Sequence, residues 1–174
     1  ERNMNFIKTA LDGVIIVEPR VFTDSRGYFF ESYNEAEFKK NGILNNFIQD
    51  NQSKSCYGVI RGLHCQTGEH AQAKLVRVLQ GCVLDVAVDF RPDSPNFGKY
   101  VAVELSDENN RQLFIPRGFL HGFSVLSDTA VFAYKCDNLY APHSELGISF
   151  DDEDIGIDWQ IPADKIIISD KDKN

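Results

Sequence analysis

Two of the four histidines stand where a proton-transfer site could form. His70 and His143 lie in polar, loop-like stretches, whereas His64 and His121 lie among glycines and apolar residues. An imidazole titrates near neutral pH and can therefore act as a general base. A histidine in such a setting is also commonly a hydrogen-bonded core residue. The local sequence leaves both interpretations open for His64.

The surroundings of these histidines do not favour a metal site. The stretch from Pro116 to His121 resembles the second motif of cupin barrels, and cupins that bind metal usually present His-x-His near the position of His64. Here Gln66 occupies the second place. A metal needs several converging ligands, which one further histidine does not supply.

Alternation along an extended chain also predicts that Arg61 and His64 face opposite sides.

Two polar side chains of interest lie on mostly apolar runs. On residues 130–136, alternation places Tyr134 on the same face as Phe132, where a tyrosine is either a core aromatic or a site residue. Lys74 shares a face with Val76, so its ammonium either reaches the rim or points into a wet cavity. Taken singly, neither residue identifies a site.

Short β-rich runs recur between turn signals along the chain. They span residues 14–17, 28–32, 74–79, 82–90, 100–105, 112–115 and 130–136. This regular spacing of short strands between turns is typical of a β-sandwich or β-barrel. In the run 82–90, Leu84 and Val86 alternate with Asp85 and Asp89, which predicts a strand with one buried face and one polar face.

Only one segment is typical of a helix. Asn34 can cap its start, Glu37 occupies the acidic position of a capping box, and Asn41-Gly42 can end it. We expect this helix to be short and peripheral. The carboxyl end, residues 170–174, alternates in charge and by itself indicates a solvated tail.

Composition restricts the class of protein. With 174 residues and 43% hydrophobic residues, the chain predicts one domain spanning 1–174, in which residues 1–3 ahead of Met4 look like a non-native addition. The net charge of -8 argues against nucleic-acid binding. Four cysteines without C-x-x-C spacing favour reduced thiols in a cytoplasm. No apolar run approaches the roughly 20 residues that span a bilayer, so no membrane association is expected.

Longer motifs resemble those of the dTDP-4-dehydrorhamnose 3,5-epimerase family. The longest are DSRGYFFES at 24–32, QDN at 49–51 with VIRGLH at 59–64, and RQLFIP at 111–116 with GFLHGF at 118–123. Shorter matches are QAKLVRV at 72–78, SPNFG at 94–98, YAP at 140–142 and DIGIDW at 154–159. The resemblance runs from about Ile7 to Asp172. It implies an all-β, cupin-type jelly-roll barrel with short peripheral helices, which forms a homodimer through exchanged amino-terminal strands.

The resemblance also implies roles for residues in these motifs. His64 matches the family's catalytic base. Asp172 matches the carboxylate paired with it, and Asp170 is a nearby competitor for that role. Tyr134 matches the general acid, and Lys74 matches the cation beside the 4-keto oxygen of the sugar.

Further positions match residues that bind the nucleotide sugar. They are Arg26, Phe29, Glu31, Gln49, Asn51, Arg61, His121 and Tyr140. Of these, Arg61 is expected to contact the diphosphate, and several of the first five are expected to reach the site across a dimer interface. Leu139 stands where many relatives carry a second aromatic beside the thymine.

The implied reaction converts dTDP-4-dehydro-6-deoxy-D-glucose to dTDP-4-dehydro-L-rhamnose, within dTDP-L-rhamnose biosynthesis, with neither a metal nor another cofactor. A C4 ketone acidifies the hydrogens on C3 and C5, so both centres can be inverted through an enolate. Two alternatives stay open. One is an epimerase of a related nucleotide 4-keto-6-deoxy sugar that inverts only C3 or only C5, and the other is a non-catalytic sugar-nucleotide-binding cupin.

Overall fold

The computed structural model describes residues 4–173, and the suggested non-native residues 1–3 lie outside this range. The chain forms thirteen strands and one α-helix within it. In chain order these are β1 (Asn5–Lys8), β2 (Ile15–Glu18), β3 (Phe22–Asp24), β4 (Gly27–Phe29), α1 (Glu35–Lys40), β5 (Gln49–Cys56), β6 (Ile60–Gln66), β7 (Lys74–Gln80), β8 (Cys82–Asp89), β9 (Tyr100–Ser106), β10 (Gln112–Ile115), β11 (Phe119–Val125), β12 (Thr129–Cys136) and β13 (Glu145–Gly147).

Two antiparallel sheets make up most of the fold. The six-stranded sheet has the order β1-β2-β10-β7-β12-β5, and the five-stranded sheet has the order β13-β6-β11-β8-β9. Strands β3 and β4 form a separate hairpin. Apolar side chains of both sheets, such as Val76 and Phe132 from one and Val83 and Phe123 from the other, join in one buried cluster. The sheets therefore face each other across a shared core.

Strand β8 is buried on both faces. Leu84 and Val86 pack with Trp159 of the carboxyl-terminal segment, whereas Val83 joins the core between the sheets. Asp85, on the same side of β8 as Val83, is fully buried. The prediction of one polar face for this strand is wrong, because its two aspartates are buried within the protein rather than exposed to solvent.

Each of the seven predicted runs overlaps a strand, and the run 112–115 has the same bounds as β10. Strand β5 was not predicted, because its sequence QDNQSKSC carries almost no apolar signal. Its backbone pairs with β12 from Gln49 opposite Cys136 to Cys56 opposite Thr129. A polar segment can form a strand in this way when a neighbouring strand supplies the hydrogen bonds.

The predicted helix is confirmed and short. The side-chain oxygen of Asn34 accepts a hydrogen bond from the Glu37 backbone N–H at 3.1 Å, and the helix ends at Asn41, followed by Gly42 in a left-handed conformation. The buried residue of this helix is Phe38. It packs against Leu75 on the outer face of the six-stranded sheet. Within residues 4–173, no helix has the length and apolar character to cross a bilayer.

The pairing of β6 with β11 contains a register shift that shapes the site. His121 lies opposite His64, whereas Phe123 lies opposite Arg61, so three steps along β6 match two steps along β11. Such a bulge redirects the side chains on the strand with the extra residue. Arg61 and His64 consequently line the same cavity. The prediction that they face opposite sides is wrong for this reason.

Candidate active site

A cavity of about 280 Å³ opens between the two sheets and beneath the carboxyl-terminal segment. It collects all four residues expected to act in catalysis and three of those expected to bind substrate. These are His64, Lys74, Tyr134 and Asp172, together with Asn51, Arg61 and His121. The cavity approaches the size typical of small-molecule sites. Residues from five strands and the chain end therefore converge on one place.

A histidine–aspartate pair occupies one side of the cavity. The His64 Nε2 and Asp172 Oδ1 atoms are 2.5 Å apart, and the Asp172 side chain is only 6% exposed. The second oxygen of this carboxylate accepts a hydrogen bond from the Gly62 backbone N–H at 3.3 Å. Because a carboxylate can only accept, the shared proton belongs to His64 Nε2. The other ring nitrogen, Nδ1, is then the one that can take up a proton.

The carboxyl end is an ordered part of this site. Ile167 accepts a hydrogen bond from Ile60 at 3.0 Å, and Lys171 forms an ion pair with Glu145 at the start of β13. Asp172 is buried, whereas the Asp170 side chain is fully exposed. Charge alternation alone indicated a solvated tail, and Asp170 and Lys173 are exposed, but Asp172 between them is buried. Of the two aspartates, Asp172 is the one that contacts His64.

Lys74 points into the cavity rather than to the rim. Its Nζ atom lies 5.6 Å from the centre of the Tyr134 ring, and it forms no ion pair with any residue between 4 and 173. Burial lowers the pKa of Lys74, against opposing contributions from neighbouring groups that include Asp85. A poorly hydrated ammonium of this kind attracts a developing oxyanion strongly.

Tyr134 lies beside this lysine, in the wall formed by β12. Burial raises the pKa of its phenol, while hydrogen bonding from Asn51 and the charge of Arg61 act in the opposite direction. Its ring also contacts Phe132 of the shared core, at 5.9 Å between ring centres. Tyr134 therefore keeps its proton at neutral pH and can donate it.

His121 belongs to a second histidine–aspartate pair. Its Nε2 atom lies 2.7 Å from Asp85 Oδ1, and both side chains are buried. Sequence reasoning missed Asp85 as a site residue because it was assigned to a polar face of β8. The signal that could have identified it is a carboxylate in the middle of a strand in which only the last residue, Asp89, is also charged. Lys171 and Ser169 also line the cavity and were not predicted.

Three predicted binding residues lie away from the cavity of their own chain. Arg26 and Phe29 belong to the exposed hairpin β3–β4, where the Arg26 guanidinium is 2.6 Å from Asp24. Glu31 follows the hairpin and accepts a hydrogen bond from the Asn34 side chain at 2.9 Å. Within one chain, these residues do not meet His64.

Two other predicted residues lie next to the cavity. The Gln49 side chain donates to Asn51 Oδ1 at 3.3 Å and accepts from the Tyr140 backbone N–H at 3.0 Å. Tyr140 and Leu139 are each 59% exposed. Gln49 thus connects Asn51, which lines the cavity, to an exposed aromatic surface.

Gln66 has a structural role in the place where a metal-binding cupin has a histidine. Its side-chain N–H groups donate to the carbonyls of His70 at 2.7 Å and Leu139 at 3.1 Å, and its oxygen accepts from Ala141 N–H at 2.8 Å. In the described part of the chain, no three His, Cys, Asp or Glu side chains are grouped so that they could hold a metal ion.

Two facing antiparallel sheets that enclose a cavity lined by His64, Lys74 and Tyr134 are the arrangement of a cupin-type epimerase. The family model described as dTDP-4-dehydrorhamnose 3,5-epimerase matches residues 8–174. The dTDP-4-dehydrorhamnose 3,5-epimerase of Methanothermobacter thermautotrophicus is 56% identical over 170 residues, covering 97% of this chain and 91% of that protein. The chain belongs to the dTDP-4-dehydrorhamnose 3,5-epimerase family, whose members are isomerases.

Solved structures agree with this assignment. The dTDP-4-dehydrorhamnose 3,5-epimerase of Elizabethkingia anophelis has a TM-score of 0.94 at 57% identity, covering 98% of this chain and 94% of that one. A dTDP-6-deoxy-D-glucose-3,5-epimerase of Legionella pneumophila, in complex with dTDP-4-keto-L-rhamnose, has a TM-score of 0.95 at 48% identity, covering 98% and 90%. The family resemblance and the all-β, cupin-type jelly-roll fold predicted from the sequence are confirmed.

The two aspartates at the chain end provide a matched pair of variants. We expect Asp172→Asn to lower epimerase turnover by about 100-fold or more, because the neutral amide no longer compensates the charge on a protonated His64. Asp170→Asn removes the same charge two residues away, from a fully exposed side chain, and should leave turnover unchanged. Steady-state kinetics of both variants measure the difference. Equal losses in the two variants would show that the pairing with His64 is unimportant.

Proposed function

We propose that this protein is a dTDP-4-dehydrorhamnose 3,5-epimerase that converts dTDP-4-dehydro-6-deoxy-D-glucose to dTDP-4-dehydro-L-rhamnose in dTDP-L-rhamnose biosynthesis. The observation that carries the proposal is the opposed arrangement of its proton-transfer groups. His64 belongs to β6 of the five-stranded sheet, whereas Tyr134 belongs to β12 of the six-stranded sheet, and both line one cavity. Inversion requires removal of a proton from one face of a carbon and its return to the other.

The first step is removal of a proton from the carbon beside the ketone. His64 Nδ1 takes the proton, and the electron pair of the broken C–H bond moves toward the C4 oxygen to give an enolate. Asp172 stabilises the imidazolium that forms, because its carboxylate lies against the other ring nitrogen. The same base serves C5 and C3 in turn, since both carbons flank the C4 ketone.

The enolate is stabilised and then protonated from the other side. The Lys74 ammonium is available to meet the oxyanion, and loss of one such donor typically costs about 2.7–4 kcal/mol of transition-state stabilisation. Tyr134 then donates its phenolic proton to the carbon, which completes the inversion. Proton exchange with solvent returns His64 and Tyr134 to their starting states.

We assign the nucleotide diphosphate to the cationic side of the cavity. The Arg61 guanidinium is held by a hydrogen bond from its Nε to Ser55 Oγ at 3.0 Å, and a guanidinium binds phosphate oxygens in a bidentate manner. Lys171 also lines the cavity, with its ammonium paired with Glu145. Local cations of this kind attract a diphosphate although the net charge of the chain is -8. Gln49, Asn51 and Tyr140 are assigned to the nucleoside.

We also propose a homodimer in which the hairpin β3–β4 of one protomer reaches the cavity of its partner. The hairpin exposes large apolar side chains, with Tyr28 63% and Phe29 54% exposed. Adjacent apolar side chains at a surface commonly mark an interface. Arg26, Phe29 and Glu31 are expected to contact the nucleotide, and all three lie away from the cavity of their own chain. A partner would bring them to a second copy of the site.

We propose that catalysis needs neither a metal nor another cofactor, because the enolate of the C4 ketone can form by side-chain acid–base chemistry alone. The four cysteines are free thiols, which supports a reducing compartment such as the cytoplasm.

Isotope exchange tests the proposed reaction. In deuterated water, the wild-type protein should introduce deuterium at C3 and C5 of dTDP-4-dehydro-6-deoxy-D-glucose, at the same rate with and without EDTA. His64→Asn should abolish exchange at both carbons. NMR of the sugar locates the label. Label at a single carbon would contradict the double epimerisation, binding without exchange would indicate a non-catalytic cupin, and a rate restored only by a divalent metal would contradict the metal-free mechanism.

Tyr134→Phe separates proton removal from inversion. The variant keeps the ring that packs on Phe132 but lacks the donor, so exchange initiated by His64 should continue while inversion slows by about 100-fold. Parallel NMR measurements of exchange and of product stereochemistry give both rates. Inversion at the wild-type rate would assign proton donation to another group and make Tyr134 a core aromatic.

The dimer is tested by solution mass. Sedimentation equilibrium should give about twice the chain mass of 19.7 kDa. Phe29→Ala should weaken this association, whereas Phe97→Ala, which removes a ring that is 49% exposed in a different loop, should not. A wild-type mass near 19.7 kDa in dilute solution would contradict the homodimer.

A further inference from the structure

We propose that Gln66 is a positioning residue for nucleoside binding, which fixes the backbone of residues 139–141 and with it the exposed side chain of Tyr140. The proposal deepens the proposed epimerase function and rests on it, because that function assigns Tyr140 to the nucleoside. Gln66 is buried and is not part of the cavity wall. It therefore acts through the segment that it holds.

The Gln66 amide holds backbone groups on both sides of Tyr140. Its N–H groups donate to the carbonyl of Leu139 at 3.1 Å and to that of His70 at 2.7 Å. Its oxygen accepts from the Ala141 N–H at 2.8 Å. Two donors and one acceptor on a single group require an amide, because a carboxylate lacks the donors and a cationic side chain lacks the acceptor. The residue type at this position is thus matched to the backbone of the segment.

Side-chain packing gives this segment little support. Leu139 and Tyr140 are each 59% exposed, so neither side chain is anchored in the core. Surface segments without such anchors are generally mobile. Here a backbone group of each of three successive residues is held by a glutamine, since Gln49 accepts from the Tyr140 N–H at 3.0 Å. The two exposed apolar side chains are therefore presented from a fixed backbone, as a binding surface requires.

The two glutamines fasten the segment to both sheets beside the site. Gln49 begins β5 of the six-stranded sheet, and Gln66 ends β6 of the five-stranded sheet. On one side, Gln49 also donates to Asn51, which lines the cavity. On the other side, Pro142 follows the segment and lines a second cavity, of about 300 Å³, which shares His64 with the first. The segment thus adjoins the site at both of its ends.

Strand β6 carries both the proposed base and the residue that fixes Tyr140. His64 and Gln66 pair with β13 without a register shift, so their side chains lie on one face, about 6.6 Å apart along the strand. Under the proposed function, His64 meets the sugar and Tyr140 meets the nucleoside of the same ligand. Gln66 fixes the position of one contact relative to the other. Without it, the ligand has to order the segment on binding, which lowers affinity but leaves the groups around His64 in place.

Gln66→Met tests the proposal, because methionine keeps the length of the side chain and removes all three hydrogen bonds. We expect the dissociation constant of dTDP and the KM of the sugar nucleotide each to rise by about 10-fold, since binding must then order residues 139–141. The value of kcat should stay within about twofold of the wild type, the pattern expected when only binding is affected. Titration calorimetry with dTDP and steady-state kinetics measure these values.

Ser127→Ala is the matched control for the loss of side-chain hydrogen bonds to the backbone. The Ser127 hydroxyl accepts from the Cys82 N–H at 2.9 Å and donates to the Thr129 carbonyl at 2.7 Å. These residues lie at the turn between β11 and β12, and none of them lines the cavity. The control should lower the melting temperature and leave dTDP affinity unchanged. An equal loss of affinity in both variants would reduce the role of Gln66 to general stability and overturn the proposal.

A double-mutant cycle with Tyr140→Leu completes the test. If Gln66 acts through Tyr140, adding Gln66→Met to Tyr140→Leu should weaken dTDP binding much less than it does in the wild type. Unchanged dTDP affinity in Gln66→Met, or fully additive losses in the cycle, would overturn the proposal. Should Gln66→Met fold poorly, Gln66→Glu, which keeps the acceptor for Ala141 but lacks both donors, provides the same comparison. A wild-type protein that does not bind dTDP would instead contradict the proposed function itself.

Discussion

The contact between His64 and Asp172 is the interaction on which the candidate site depends. It joins residues 108 positions apart in the chain, and it exists only because the carboxyl-terminal segment returns to the five-stranded sheet. That segment is attached independently, by the backbone pairing of Ile167 with Ile60 and by the ion pair of Lys171 with Glu145. The buried Asp172 carboxylate therefore belongs to a segment that several contacts fix to the sheet. This carboxylate holds the His64 imidazole in one orientation.

Burial shifts the pKa values of Lys74 and Tyr134, the other two residues with proposed catalytic roles. The same desolvation lowers the pKa of Lys74 and raises the pKa of Tyr134, because it disfavours a positive charge in one case and a negative charge in the other. A cavity between two sheets can impose both pKa shifts at once, because burial there removes water from the lysine and from the phenol alike. The cost is that a charged group in such a cavity must be compensated by other charges nearby.

Much of the fold could be predicted from periodicity, because β-rich runs between turns are a local property of the chain. The failures share a different cause. Whether Asp85 faces solvent or the protein interior depends on what covers the face of β8 that it shares with Val83, and that cover is the six-stranded sheet, most of whose strands are far away in sequence. The convergence of Arg61 with His64 depends on a bulge in the pairing of β6 with β11. The bulge has no local sequence signal, so motif resemblance grouped Arg61 with His64 where alternation separated them.

The arrangement of the sheets gives a physical reason why this fold suits epimerisation. Inversion of a carbon through an enolate needs a base on one face of the planar enolate and an acid on the other. A single strand or helix presents its side chains largely to one side of a bound ligand. Two facing sheets provide two walls. The histidine pairs with Asp172 on one wall, and Tyr134 with Lys74 beside it stands on the other. In a metal-binding cupin, ligands must instead converge on a point, and here the side chain of Gln66 is committed to three backbone groups outside the cavity. Under the proposed mechanism, this separation lets the cavity hold a flat intermediate between His64 and Tyr134.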